Sequence, residues 1–219
     1  MPGLPALIQL EDRRCLVVGG GPVALRRTRA LVEAGGSVRV VAPRLDDAFA
    51  DMAVAVERRG FEAGDLDGVF FVVIATDRAE VNEAVAEAAG RRGVLVNRAD
   101  RPEAGDVSIP AHRRMGPVTL AVDTGGASAS ASAKIRDAAA RSIDPLWPRL
   151  LTQAEPWRRD IQRRFSDDEA RRGELLRSLT DPRSMTILEH RGIDALHGHW
   201  RRMIERAESR ADAPGDPPS

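Results

Sequence analysis

The sequence predicts an α/β domain built on a parallel sheet, followed by a small α+β region and a helical C-terminal part. Three observations predict it. Short β-rich runs alternate with helix-like runs over residues 1 to about 106, the pattern of strand–helix–strand units with right-handed crossovers. A glycine-rich turn, Gly19-Gly20-Gly21-Pro22-Val23-Ala24, joins the first β-rich run to the first helical one. From residue 146 to 210 the chain reads as helix interrupted by prolines.

Taken in order, Arg14–Val18 is an apolar run that ends in glycines, and Pro22–Ala34 reads as a helix with proline allowed in its first turn. Val38–Ala42 and the weaker Ala53–Val56 follow as strands. Val69–Ala75 is apolar throughout, as a strand buried on both faces must be. Arg78–Arg91 places Val81, Ala84, Val85 and Ala88 at helical spacing, and Val94–Asn97 closes the alternating region. Val107–Ile109 and Val118–Val122 are expected as an antiparallel pair around the turn Arg114–Pro117, with an alanine-rich helix over Ala127–Ser142. The boundaries expected are 1–106, 107–145 and 146–210, with a disordered tail over 211–219. Trp147, Trp157, Phe165 and Trp200 are read as core or interface anchors of the helical part.

Composition narrows the function. The 33 basic and 33 acidic residues of the 219 cancel, which argues against a general nucleic-acid binder. Hydrophobic residues at 42% and charged residues at 30% suit a globular chain with a real core. The single cysteine, Cys15, excludes a disulfide framework, and its place inside the first strand makes it a buried structural thiol. No apolar run reaches the roughly 18 residues of a membrane span, and the N-terminus lacks the basic start of a secretory signal, so a cytoplasmic protein is expected. All basic residues except Lys134 are arginine, the side chain that grips carboxylates in a fork, although coding bias is the simpler explanation of the excess. The four histidines are poorly placed for a metal site: His197 and His199 fall on different faces of a helix.

The glycine turn carries the chemistry. Its pattern G-x-G-x-x-A, with a strand before and a helix after, is the dinucleotide-binding arrangement of a Rossmann-like fold. Gly19 makes the tight turn, Gly21 lets a pyrophosphate approach the backbone, and Ala24 lets the helix pack close to the sheet. The free N–H groups and positive dipole end of that helix face the phosphates. The second strand ends Val40-Val41-Ala42-Pro43-Arg44 without the usual ribose-binding carboxylate. Either backbone groups hold the ribose or Arg44 meets a 2′-phosphate, so the residues leave NAD and NADP both open. Asp100, just past the last strand of the sheet, falls at the strand ends where ligands bind. Thr76 and Asp77 stand at another strand end, where one of them is expected to cap the following helix. Thr124-Gly125-Gly126-Ala127-Ser128 is a second glycine turn, able to bind an anion or to cap a helix through Ser128.

Four segments together resemble the siroheme synthase N-terminal module family, the precorrin-2 dehydrogenases and sirohydrochlorin ferrochelatases. They are Leu4-Pro5 with Arg14–Ala24; Ile74-Ala75-Thr76-Asp77 with Val81-Asn82; Val96-Asn97-Arg98-Ala99-Asp100; and Ile109-Pro110-Ala111 with Gly116-Pro117 and Ala121–Ser128. The resemblance covers roughly residues 1–140 and implies an NAD-binding Rossmann domain, a central dimerisation region over 107–145 and a helical C-terminal domain. It implies oxidation of precorrin-2 to sirohydrochlorin with NAD as hydride acceptor. In many members the same site inserts ferrous iron, which would then be a further substrate. The implied catalytic residue is Asp100. The resemblance implies cofactor contacts at Pro22, Val23, Pro43 and Arg44; with Gly19, Gly21 and Ala24 of the glycine turn and Thr76 at its strand end, these are the expected cofactor residues, and no metal ligand is expected. Asn97, Arg98, Thr124, Gly125, Gly126 and Ser128 are expected on the substrate side, and Arg113, Arg114 and Arg136 could grip substrate carboxylates. A tetrapyrrole substrate, a homodimer, no nucleic acid and no membrane complete the expectation.

The chain departs from the pattern in three ways. It is too short for the methyltransferase domain of fused members, so methylation is expected elsewhere. Ala129 replaces the usual proline after the turn serine, and Arg98-Ala99 fill positions that are often apolar. The alternative function is a non-catalytic module that senses nicotinamide nucleotides; a spectrum after mixing with precorrin-2 and NAD separates the two. A short-chain dehydrogenase is disfavoured, since the chain has no tyrosine.

Overall fold

The computed structural model describes residues 3–211. The chain divides into two compact units, one formed by the residues up to Pro110 with Asp123–Ser128, the other by Ala111–Val122 with the residues from Ala129 onward. No described helix is long and apolar enough to cross a membrane.

The first unit is built on five parallel strands. They are β1 (Arg14–Val18), β2 (Ser37–Val41), β3 (Ala55–Glu57), β4 (Phe71–Ile74) and β5 (Leu95–Arg98), in the spatial order β3-β2-β1-β4-β5. That order reverses between β1 and β4, so a crevice opens above their C-terminal ends. Helices α1 (Pro22–Glu33) and α2 (Ala79–Gly90) cross over after β1 and β4. Strand alternation explains why the apolar runs are continuous. Cys15 and Val17 enter the cluster beneath α1, whereas Leu16 and Val18 enter the cluster beneath α2. Burying each such aliphatic side chain stabilises the fold by roughly 1.5–3 kcal/mol. Burial pushes the Cys15 thiol up to about 11, which fits the structural thiol expected there.

The same alternation separates two neighbouring side chains of β5. Asn97 pairs in register with Val73, a member of the α1-side cluster, and Arg98 pairs with Ile74, a member of the α2-side cluster.

The second unit begins with the hairpin β6 (Ala111–Met115) and β7 (Val118–Val122). Gly116, at φ +56°, holds the first turn position, where a tight hairpin turn needs a left-handed residue. The expected strand over Val107–Ile109 is thus corrected: these residues form no strand and are not paired with β7. Their apolar side chains pack on the first core, and Val107 N–H donates to Val96 O at 3.0 Å. The true partner of β7 reads Ala-His-Arg-Arg-Met and is mostly exposed, so its apolar signal is weak. Helix α3 (Ala129–Ser142) packs on this hairpin.

Helices α4 (Leu146–Arg164), α5 (Glu169–Ser178) and α6 (Pro182–Ala211) enclose a third core. Gly192, at φ +79°, breaks α6 into two helical segments. Trp200 is fully buried and donates from Nε1 to Ser184 Oγ at 3.0 Å; Ser184 in turn donates to Ser178 O at 2.8 Å. Trp157 meets Trp200 edge-on at 6.0 Å, and Phe165 is buried, so three of the four expected anchors lie in this core while Trp147 stays 39% exposed. The disordered tail expected over 211–219 lies outside the described residues except for Ala211, the last residue of α6.

Candidate active site

A groove of about 840 Å³ lies over the C-terminal ends of the sheet in the first unit. Each strand end contributes. The loop after β1 supplies Gly19 to Val23, the loop after β2 supplies Pro43, Arg44 and Asp46, the loop after β4 supplies Thr76, and the loop after β5 supplies Asp100.

The glycine loop is shaped by its neighbours. Gly19 adopts φ +129°, and a Cβ there would stand 2.2 Å from Ala75 O. Gly19 N–H donates to Val41 O at 3.0 Å, which ties the loop to β2. A Cβ on Gly21 would meet nothing within 4 Å, so its backbone faces open groove, as a pyrophosphate contact requires. No side chain caps the start of α1 and no acidic residue occupies its first turn, leaving the positive helix end for an anion. These features fit a dinucleotide. Ala24 is fully buried beneath the loop and does not line the groove; it sets the helix–sheet approach.

Sequence reasoning missed the tightest point. A Cβ on Gly20 would lie 2.0 Å from Arg44 O, and Asp46 N–H donates to Gly20 O at 2.8 Å. The available signal was the middle glycine of three in a row, at the position that the G-x-G-x-x-A pattern leaves free.

Asp100 stands in a hydrogen-bonded chain of side chains. Arg98 reaches it with Nε at 3.1 Å and Nη2 at 2.7 Å, one bond to each carboxylate oxygen. Arg98 also pairs with Glu83 at 3.0 Å, and Glu83 is shared with Arg101. On the other side, Thr76 Oγ1 donates to Asn82 Oδ1 at 2.6 Å, and Asn82 Nδ2 donates to Thr76 O at 3.2 Å. The Arg98 guanidinium first, with help from Asn82, holds the Asp100 carboxyl down at about 2. At neutral pH Asp100 is therefore a fixed anion, with 28% of its side chain reaching solvent. Asn82 and Glu83 were not singled out as site residues; both fall in the first turn and a half of α2, the helix that follows a strand end of the groove. The expected cap is corrected: the N-cap of α2 is Arg78 and no side chain caps the helix, while Thr76 Oγ1 accepts Arg78 N–H at 3.1 Å in the turn before it.

The residues expected on the substrate side are placed elsewhere than in this groove. Asn97 is 1% exposed on the α1 side and donates to Val107 O at 2.7 Å. Arg98 is 2% exposed, and its fork is occupied by Asp100 and Glu83, so it positions a carboxylate of the chain itself. In the turn before α3, Thr124 Oγ1 accepts Ser128 N–H at 3.3 Å, and Asp123 takes the Gly125 N–H at 3.2 Å. Gly125 and Gly126 adopt φ +61° and +83°, which this turn requires. Arg136 pairs with Asp137 at 2.8 Å, and Arg113, 54% exposed, lies 4.0 Å from the same carboxylate.

Comparison with known proteins agrees with this geometry. Residues 6–111 match a family model described as "Putative NAD(P)-binding". The chain is 34% identical to the siroheme synthase of Methylococcus capsulatus over 215 residues, covering 96% of this chain and 44% of that protein. It is 40% identical to the siroheme synthase of Chromobacterium violaceum over 176 residues, 78% of this chain and 37% of that one. The chain thus spans less than half the length of these curated relatives. Among solved structures, SirC, precorrin-2 dehydrogenase, superposes with a TM-score of 0.72 at 26% identity, over 94% of this chain and 100% of that chain. By its glycine loop, its strand-end aspartate and these relatives, the chain belongs to the siroheme synthase N-terminal module family.

Proposed function

We propose that the chain oxidises precorrin-2 to sirohydrochlorin with NAD. The carrying observation is that Asp100 and the open glycine loop line one groove at the strand ends. Bound NAD supplies the hydride acceptor. Gly21 and the free end of α1 hold its pyrophosphate, with Pro22, Val23, Pro43, Arg44 and Thr76 around it. The oxidation removes a hydride, which passes to NAD, and a proton, which passes to water at the open side of the groove. A carboxylate held near 2 is a weak proton acceptor at neutral pH. Asp100 therefore acts as a preorganised negative charge that stabilises the positive charge developing on the macrocycle as hydride leaves. Arg98 and Asn82 are positioning residues for it.

Ferrous iron is proposed as a second substrate of the same groove, and the chain as a cytoplasmic homodimer. Ile135 and Trp147, 50% and 39% exposed in the second unit, are apolar surface that a second copy would cover.

The test is anaerobic: precorrin-2 and NAD are mixed with the purified chain and with Asp100→Asn, and sirohydrochlorin absorbance is followed before and after ferrous ion. Wild type should form sirohydrochlorin, and the variant should be slower by a factor of about 10²–10³, the scale for loss of one preorganised charge, while its NAD affinity holds. An inactive wild type, or an equally active variant, would overturn the reading.

A further inference from the structure

The helical unit contains a second cavity that this reaction does not use. It has a volume of about 350 Å³, between α5 and the last part of α6. His199, Arg202 and Arg206 line it from successive turns of one face of α6, and Arg183 joins them from the start of that helix. With Arg171 of α5, four arginines face two carboxylates, Glu174 and Asp181, an excess of two positive charges. Arg171 is answered from outside the cavity, but neither lining carboxylate makes an ion pair with Arg183, Arg202 or Arg206. Asp181 Oδ1 accepts Ser184 N–H at 2.7 Å as a helix cap, and Arg171 pairs with Asp168 at 3.4 Å. Among the described residues, Arg183, Arg202 and Arg206 have no ion-pair or hydrogen-bond partner. His199 registers the resulting field: burial first, then Arg183, with Arg202 and Arg206 adding and Asp181 opposing, pushes its pKa down.

We propose that this cavity binds a small oxyanion with at least two negative charges, gripped by Arg183, Arg202 and Arg206, with His199 donating to it once protonated. Guanidinium forks match both phosphate and carboxylate oxygens, so the shared chemistry is a phosphate-bearing or polycarboxylate metabolite. The cavity suits a small ligand: at about 350 Å³ it is less than half the size of the groove over the sheet, about 840 Å³. A bound anion answers the charge that suppresses His199, so binding and protonation of the ring reinforce each other.

The chain has four histidines, so its ring resonances can be followed singly by NMR while pyrophosphate or citrate is added to the whole 219-residue chain at low ionic strength. His199→Gln assigns the signal. The His199 resonance should shift saturably and its titration midpoint should rise by about one pH unit, while His112 and His190 stay unmoved. Arg202→Ala with Arg206→Ala should weaken the response at least tenfold. Arg191→Ala with Arg201→Ala, on exposed positions outside the cavity, should leave it intact. The His197 resonance, with its ring 5.7 Å from Trp157 and 5.9 Å from Trp200, reports that each variant is folded. Saturation by pyrophosphate alone assigns a phosphate-bearing ligand; saturation by citrate alone assigns a polycarboxylate. A response that fails to saturate with either anion, or equal weakening by both arginine pairs, would overturn the proposal.

Discussion

Replacing Arg98 by methionine removes the guanidinium and keeps much of the apolar stem that packs beside α2. Arg98 is 2% exposed and bonds both oxygens of Asp100, at 3.1 and 2.7 Å. Its fork is the largest reason that the Asp100 carboxyl sits at about 2 and not at its ordinary 3.8. That difference corresponds to roughly 2.5 kcal/mol. Asp100 is open to water on its groove side and Asn82 supplies part of the effect, so screening reduces the Arg98 share to about 1 kcal/mol. The folded-state value lies below the unfolded one. The stabilisation is therefore complete above about pH 4 and is lost as pH falls from there toward 2. Urea unfolding of wild type and Arg98→Met should show a gap near neutral pH that narrows by about 1 kcal/mol near pH 2. Asp100 in the variant is still ionised at pH 7, but nothing holds its orientation. Turnover should fall by about 10–100-fold through misplacement. NAD affinity should stay within about twofold, because Arg98 does not line the groove. A stability gap that ignores pH, or NAD affinity falling in step with turnover, would refute this account.

Gly20→Ala should destabilise the first unit by about 1–3 kcal/mol and weaken NAD binding, since the new methyl would lie 2.0 Å from the backbone carbonyl of Arg44; thermal melting and NAD titration check it. Asn82→Ala should cost about 1–3 kcal/mol by leaving Thr76 and Asp100 without their buried partner, and should lower turnover more than it raises the Michaelis constant for NAD. The thiol of Cys15, buried and pushed up to about 11, should react with a disulfide reagent at pH 8 only as fast as the chain unfolds, so added urea should accelerate it steeply.

The sheet was legible because it is buried on both faces. Strands such as Phe71–Ile74 must be apolar at every position, and that leaves an unbroken signal. The glycine loop was legible for a related reason: a strand, a turn and a helix must all agree around it. The hairpin was read one strand too early because β6 is solvated, so its sequence carries charge where its neighbour Val107–Ile109 carries apolar residues that belong to another core. At Gly20 the extra glycine of the run was the whole of the signal, because its constraint comes from Arg44, distant in sequence.

Arg98 shows most clearly what the sequence withholds. Read along the chain, it departs from a pattern that is often apolar before the aspartate, and its nearest expected role was to hold a substrate carboxylate. Alternation along β5 decides otherwise. Position 98 pairs with Ile74 on the α2 face, so the guanidinium enters an apolar layer where its charge must be paired. Glu83 comes down from α2 to meet it at 3.0 Å, and Asp100, two residues on, folds back to take the other side of the fork. An apolar residue at 98 would need neither partner, and Asp100 would then be held only by Asn82 and a backbone N–H. The arginine thus ties the charge state of Asp100 to a helix that the sequence places only as a crossover. Arg98→Met and Asn82→Ala should therefore also be combined in one double variant, because both side chains are buried and both hold Asp100, so their effects should not simply add.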